Sequence, residues 1–288
     1  MDTKELLKKV RRLEIKAKGL TKHIFSGEYH SAFKGRGMAF SEVREYHFGD
    51  EVRTIDWNVT ARFNEPYVKV FDEERELTVM LIIDVSGSED FGSTEKTKKD
   101  LALELAAVLS FSALSNNDKV GAIFVSDKIE KYIAPSKGKK HALIILRELI
   151  ELKPESKGTN LDEALKFFRN TQKKRTIAFV ISDFMDENNF IEGLKVSKRR
   201  HDMVAIHLID EAERHLPDVG IIQLYNSETE ETTWVNSASQ QAKEVHTSNF
   251  NKAQDKLFDD FQKSGVDFAT ISTSEDFIKP LVKLFQRR

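Results

Sequence analysis

Three short stretches of this 288-residue chain carry oxygen-bearing side chains whose types and spacing suit cation binding. Asp84-Val85-Ser86-Gly87-Ser88 sets a carboxylate and two hydroxyls at alternate positions, Gly158-Thr159-Asn160 adds a third hydroxyl, and Ser182-Asp183 adds a second carboxylate. Such oxygens are what a hard divalent ion takes, about six at a time and with some water kept. Each piece alone has a plainer use, because Asp, Ser and Thr after a strand also cap helices and form turns. Only a fold that brings the three together distinguishes the two uses.

The elements around these residues can be read from apolar periodicity. LTVMLIID (77–84) is a continuous apolar run, as expected of a strand buried on both faces of a parallel sheet. Roughly 96–114 reads as a helix with Leu101, Leu105, Val108 and Leu109 as its buried stripe. Next come a strand at 119–127, its hairpin partner or edge strand at 128–136, and helices at 141–152 and 161–171. TIAFVISD (176–183) is another buried strand, followed by a helix at 190–200 and a strand at 202–210. Two strands within 221–237, a charged helix running to about Lys263, a strand at 266–272 and a helix at 277–285 close the chain. This alternation predicts an α/β fold with a central, mostly parallel sheet and helices on both faces. Ligands of open α/β sheets gather outside the carboxyl ends of the strands, so all three oxygen-bearing stretches are expected at one edge. Asp84 is expected on a surface loop there, with 89–97 and 184–190 as flanking loops and Glu89, Asp90, Asp186 and Glu187 as the acids around the site.

The D-x-S-x-S, Thr and Asp arrangement resembles the metal-ion-dependent adhesion site of von Willebrand factor A domains and integrin inserted domains, in motif order and in placement after the first strand, before a helix and after a central strand. The resemblance implies a von Willebrand factor A-like (Rossmann-like) domain. It also implies that Ser86, Ser88 and Thr159 offer hydroxyls, and Asp84 and Asp183 carboxylates, to Mg2+ or Mn2+, partly through bridging waters. Such a set leaves the ion one open position for an acidic group from a partner protein. A metal-assisted hydrolase built on Asp84 and Asp183 is the alternative. It needs a general base, for which Asp186 and Glu187 are the nearby candidates.

A second resemblance covers nearly the whole chain. The stretch Gly27–Arg62, with Gly35-Arg36-Gly37, Arg44-Glu45-Tyr46, Gly49-Asp50, Arg53 and Ile55-Asp56-Trp57, is similar to the signature of the bacterial domain-of-unknown-function family fifty-eight. Leu216-Pro217-Asp218-Val219-Gly220, Gly265-Val266-Asp267 and the closing helix extend the match. Met38-Ala39-Phe40 departs from it, standing where many relatives have an acid before the aromatic. Members of that family are commonly encoded beside MoxR-type AAA ATPases, which implies such an ATPase system as partner. The expected organisation is an amphipathic helix over 1–26, a signature segment over 27–75 packed on the main domain, and the A-like domain over 76–288.

Composition narrows the alternatives. The net charge is −2, with no basic excess of the kind nucleic-acid binders show. There is no cysteine, which excludes disulfides and thiolate zinc sites. No run approaches the ~20 apolar residues of a membrane helix; the N-terminus lacks the apolar stretch of a secretory signal. The expected setting is the cytoplasm, with peripheral membrane contact open to the basic face of the first helix. The eight histidines are scattered without metal spacing, Asp84 occupies the place of the first glycine of a G-x-S-x-G elbow, and there is no P-loop. These observations favour an interaction module over an enzyme.

Tyr46, Phe48, Ile55 and Trp57 together carry too much apolar area to stay in water at ~25 cal/mol per Å2. Limited proteolysis should therefore spare 35–60; rapid cutting throughout that range, with the remainder protected, would mark it as a flexible tail.

Overall fold

A computed structural model describes residues 11–12, 39–72, 77–93, 96–186, 188–225 and 232–288. Of the helix expected over 1–26, Arg11 and Arg12 fall among these and are helical; the rest lies outside the described residues. The chain forms two compact units, Lys34–Glu76 and a larger one that includes Leu77–Arg288.

In the small unit, β1 (Ala39–Glu45) pairs antiparallel with β2 (Tyr67–Asp72), and the short helix α1 (Trp57–Phe63) lies between them in sequence. A turn forms at Phe48-Gly49-Asp50: Gly49 has φ +111°, and Asp50 N–H donates to His47 O. Asp50 also takes a two-pronged grip from Arg44, Nη1 to Oδ2 at 2.8 Å and Nη2 to Oδ1 at 2.7 Å, the paired geometry that makes Arg–carboxylate bonds strong. Asp56 caps α1 by accepting from Asn58 N and Val59 N and faces Lys69 at 3.4 Å.

The large unit is built on a six-stranded sheet. Its elements in chain order are β3 (Thr78–Asp84), α2 (Lys98–Ser115), β4 (Lys119–Val125), β5 (Ile129–Ser136), α3 (Lys139–Glu151), α4 (Leu161–Thr171), β6 (Ile177–Ser182), α5 (Phe190–Lys198), β7 (Asp202–Ile209), the single turn α6 (Glu211–Arg214), β8 (Ile221–Tyr225), β9 (Thr232–Asn236), α7 (Gln240–Ser264), β10 (Asp267–Ser272) and α8 (Ile278–Gln286). The strand order is β10-β7-β6-β3-β4-β5, all parallel except the edge strand β5, which runs antiparallel to β4. β8 and β9 form a separate antiparallel ribbon. Every element expected from residue 77 onward is present, and the expected fold class is the observed one.

Side-chain alternation divides the core into two layers. Val79, Leu81 and Ile83 of β3 face a cluster built with α2, α3 and α8, while Met80 and Ile82 face one built with α4, α5 and Phe261 of α7. That is why β3 reads as unbroken apolar sequence: both faces are covered. Thr97 starts α2 with a reciprocal capping box to Asp100, satisfying two free backbone donors. Pro280 falls in the first turn of α8, where no helical N–H is lost.

His201, 2% exposed, ends the turn before β7 and packs on Phe168 with ring centroids 4.6 Å apart. Neither ring nitrogen has a hydrogen-bond partner. Burial, reinforced by the charges of Arg200 and Arg169, lowers its pKa to about 4. The fold thus holds it neutral while the unfolded chain protonates it below pH ~6.5. The stability this contributes is complete above that pH and lost as pH falls toward 4. His201→Leu should remove the dependence. The variant's unfolding free energy minus that of the wild type is expected to rise as pH drops from 7 to 4, by up to roughly 3 kcal/mol at about 1.4 kcal/mol per pKa unit. A constant packing cost cancels in this difference, and a flat difference would contradict the account.

Candidate metal centre

β3 and β6 lie side by side in the middle of the sheet, and their carboxyl ends deliver Asp84 and Ser182-Asp183 to the same edge. β3 runs from there toward β4 on one side, while β6 leads to β7 and β10 on the other. The order of strands reverses at this point, where open sheets place their ligands.

Asp84 is held from both strands. Its Oδ1 accepts from Ser86 N at 2.9 Å, and its Oδ2 accepts from the Ser182 hydroxyl at 2.7 Å. The hydroxyls of Ser86 and Ser88 are 3.1 Å apart. The next residues wind into one 3-10 turn, Gly87–Asp90, and Gly87 N donates to Lys157 O at 2.9 Å, tying the segment before Thr159 to this loop. Thr159 O accepts from Asn188 Nδ2, and Leu161 N from α4 donates to Asp186 Oδ2. Thr159 therefore stands between the Ser86–Ser88 loop and the segment after Asp183. Asp186, a candidate base in the hydrolase alternative, is engaged by these caps and by Asn188; Glu187 lies outside the described residues.

Phe184 turns the chain just after Asp183 with φ +55°, an unusual conformation for a bulky residue. Its ring is wedged against Phe190, Phe261 and His207, and this packing holds the strained backbone. The turn brings Met185 N to Asp183 Oδ1 at 3.1 Å.

The expectation that Asp84 lies on a surface loop is corrected by the fold. Asp84 ends a strand and is 2% exposed; Ser86, Ser88, Thr159 and Asp183 are also buried. A second correction concerns Glu89, expected as a surface acid. It is 1% exposed, and its Oε1 accepts from Asp183 N at 3.2 Å. Oxygens of Asp84, Glu89 and Asp183 lie within 4.8 Å of one another.

Sequence reasoning missed Lys98 altogether. This fully buried lysine donates to Asp183 Oδ2 at 2.5 Å and to Glu213 Oε1 at 2.6 Å. Glu213 in turn completes a capping box with Asp210 at the end of β7. Asp210 accepts from Ser93 N and from the Thr273 hydroxyl beyond β10. A chain of charge-assisted bonds thus runs along the edge from β6 to β10.

The electrostatics follow from that geometry. Burial, with the charge of Asp183 adding to it, pushes Asp84 up to about 7 against the donors Ser182 and Ser86. Burial and both neighbouring aspartates push Glu89 well above the ordinary carboxylate range. Burial would also raise Asp183, but the charge and hydrogen bond of Lys98 hold it below its usual value. Burial would lower Lys98, and its carboxylate neighbours raise it instead. A cluster of hard oxygen donors, rich in negative charge and with Glu89 Oε2 lacking any hydrogen-bond partner, fits a divalent cation of the magnesium or manganese type.

The sequence family described as "Protein of unknown function DUF58" matches residues 42–256. The uncharacterized protein Rv1480 of Mycobacterium tuberculosis is 31% identical over 231 residues, covering 80% of this chain and 73% of that protein. Among solved structures, the fold is similar to that of the conserved hypothetical protein BatB from Bacteroides thetaiotaomicron, with TM-score 0.47 and 14% identity over 73% of this chain and 98% of that one. It is also similar to the SpRpn10 VWA domain, with TM-score 0.41 and 14% identity over 74% and 96% of the two chains.

Asp84→Asn gives a direct reading of what it costs to ionise Asp84, from burial first and from the charge of Asp183 second. An aspartate whose pKa is raised in the fold costs stability once ionised, and the cost grows as pH rises from about 4 to 7. In chelator the asparagine variant should therefore melt above the wild type at pH 8, and its advantage should fade toward pH 4. A variant less stable than wild type throughout would contradict this electrostatic account.

Proposed function

The chain belongs to the DUF58 family, and from that premise we propose that it is a metal-dependent protein-interaction module and not an enzyme. The observation that supports this most is the meeting of Asp84, Ser86, Ser88 and Asp183, drawn from separate stretches of sequence, in one buried group of oxygens at the sheet edge. Helix capping does not account for it, since the carboxylates of Asp84 and Asp183 cap no helix among the described residues of the large unit. In this reading Asp84, Ser86, Ser88, Thr159 and Asp183 hold Mg2+ or Mn2+. When bound, the ion supplies a Lewis-acidic centre for a partner's carboxylate.

The protein's own residues do the rest. Ser182 and the Ser86 amide fix the rotamer of Asp84, and Lys98 fixes that of Asp183, so the ligand oxygens are positioned before any ion arrives. Phe91 and Met185, in the segments that flank the cluster, are exposed apolar side chains suited to partner contact. Asp90 and Asp186 lie in the same segments, so a partner offering one carboxylate on a neutral or basic surface is favoured over a strongly acidic peptide. A MoxR-type AAA ATPase, or its substrate, is the partner we propose on family resemblance alone, with complex assembly or chaperone-like maturation as the role and the cytoplasm as the setting. Among the described residues no helix is long and apolar enough to cross a membrane.

Capture of partners from native extract should succeed in magnesium and fail in chelator, and it should fail with Asp84→Ala or Thr159→Ala bait. A partner retained equally under all four conditions would show that the metal site is not the interface.

A further inference from the structure

We infer that Glu89 is itself a ligand of the ion, so that the site draws on three carboxylates and its coordination is closed from within the chain until a partner displaces one of them. This rests on the ion-site reading above and extends it to a residue outside the D-x-S-x-S, Thr and Asp set.

Three observations carry it. Glu89 is 1% exposed, yet its two oxygens are treated unequally: Oε1 accepts from Asp183 N, while Oε2 is buried with no hydrogen-bond partner. Buried polar atoms are nearly always paired, so an orphaned carboxylate oxygen calls for a partner that the donors of the described residues do not provide. The ammonium of Lys98, two of whose three donors go to Asp183 and Glu213, makes no hydrogen bond to this oxygen.

The spacing is the second observation. Oxygens sharing one magnesium ion at about 2.0–2.1 Å lie at most about 4.2 Å apart, and oxygens of Asp84, Glu89 and Asp183, all within 4.8 Å of one another, reach that span by a small inward adjustment of their side chains. The third is how firmly the residue is held. Glu89 belongs to the 3-10 turn Gly87–Asp90, closed by Glu89 N to Ser86 O and Phe91 N to Ser88 O, so the backbone that presents the serines also presents the glutamate. A glutamate drawn inward by that turn gives the ion an internal carboxylate in the position an outside acid would compete for. Affinity for free carboxylates is then low in the resting protein and higher once the Glu89 carboxylate is removed by substitution.

Manganese titration of the intact chain, followed by water-proton relaxation, tests this. Glu89→Gln should weaken Mn2+ binding by at least the roughly 10–100-fold that removal of an outer-sphere partner costs. It should also raise the relaxivity per bound ion, because water enters the vacated position, and it should strengthen the response to added acetate. Glu89→Asp, which keeps the charge but withdraws the oxygen by one methylene, should shift affinity and relaxivity in the same direction and serves if the glutamine variant does not fold. Wild-type affinity and relaxivity in a folded Glu89→Gln protein would overturn the inference while leaving the ion site standing, provided Asp84→Asn still abolishes binding. Absence of Mn2+ binding by the wild type would instead overturn the ion-site reading and this inference with it.

Discussion

The organisation of this protein turns on mutual repulsion among carboxylates that the sheet forces into one dry place. Asp84 and Asp183 leave adjacent central strands one residue out of step, Ile83 pairing with Ile181, so the register of β3 against β6 sets their separation, and Glu89 is folded in beside them. In water such acids would be screened. Under helices and loops they are not, and the response is visible in Asp84, whose ionisation is pushed up to about 7 by burial and by Asp183. Lys98 offsets part of this charge and holds Asp183 in its ionised form. Breaking a buried pair by removing one partner is far more costly than the pair's net contribution to stability. The lysine is therefore best understood as fixing geometry at the edge: through Glu213 and Asp210 it connects the end of β6 to the ends of β7 and β10.

That arrangement is consistent with a fold whose core and site have separate requirements. The apolar alternation of β3 divides cleanly between the two helix layers up to Ile83, and the polar site begins at the next residue. The strained Phe184 has a corresponding place on the other strand, where an aromatic cluster on one sheet face holds the turn that aims an amide at Asp183. Packing energy from the core is thus spent on positioning polar groups at the edge, as is common where function requires an unfavourable local conformation.

Much of this was legible in the sequence, for identifiable reasons. The strands and helices after residue 77 follow strong apolar periodicity, and the stretch read as a hairpin partner or an edge strand, β5, is both. The motif residues were legible because their spacing places them just past strand ends. Lys98 and Glu89 were not. Lys98 is one of three lysines in Lys96-Thr97-Lys98-Lys99, and only the Thr97 capping box decides which of them starts the helix and points inward. Glu89 follows the serines as one of a run of polar residues that reads as a solvated loop, and it is buried where its Oε1 accepts from Asp183 N. Both depend on three-dimensional closure between segments more than 80 residues apart in sequence, as with Lys98 and Asp183. Local pattern carries no information about such contacts.

The central claim is that this buried group of oxygens is a divalent-cation site. Crystals soaked in Mn2+ and measured at the manganese absorption edge address it without reference to any partner or activity. The account predicts one strong anomalous peak in contact with oxygens from the Asp84–Ser88 loop and close to Asp183, with Lys98 still bonded to Glu213. Full Mn2+ soaking that leaves no anomalous density there, with Asp84, Glu89 and Asp183 in the positions described above, would contradict it.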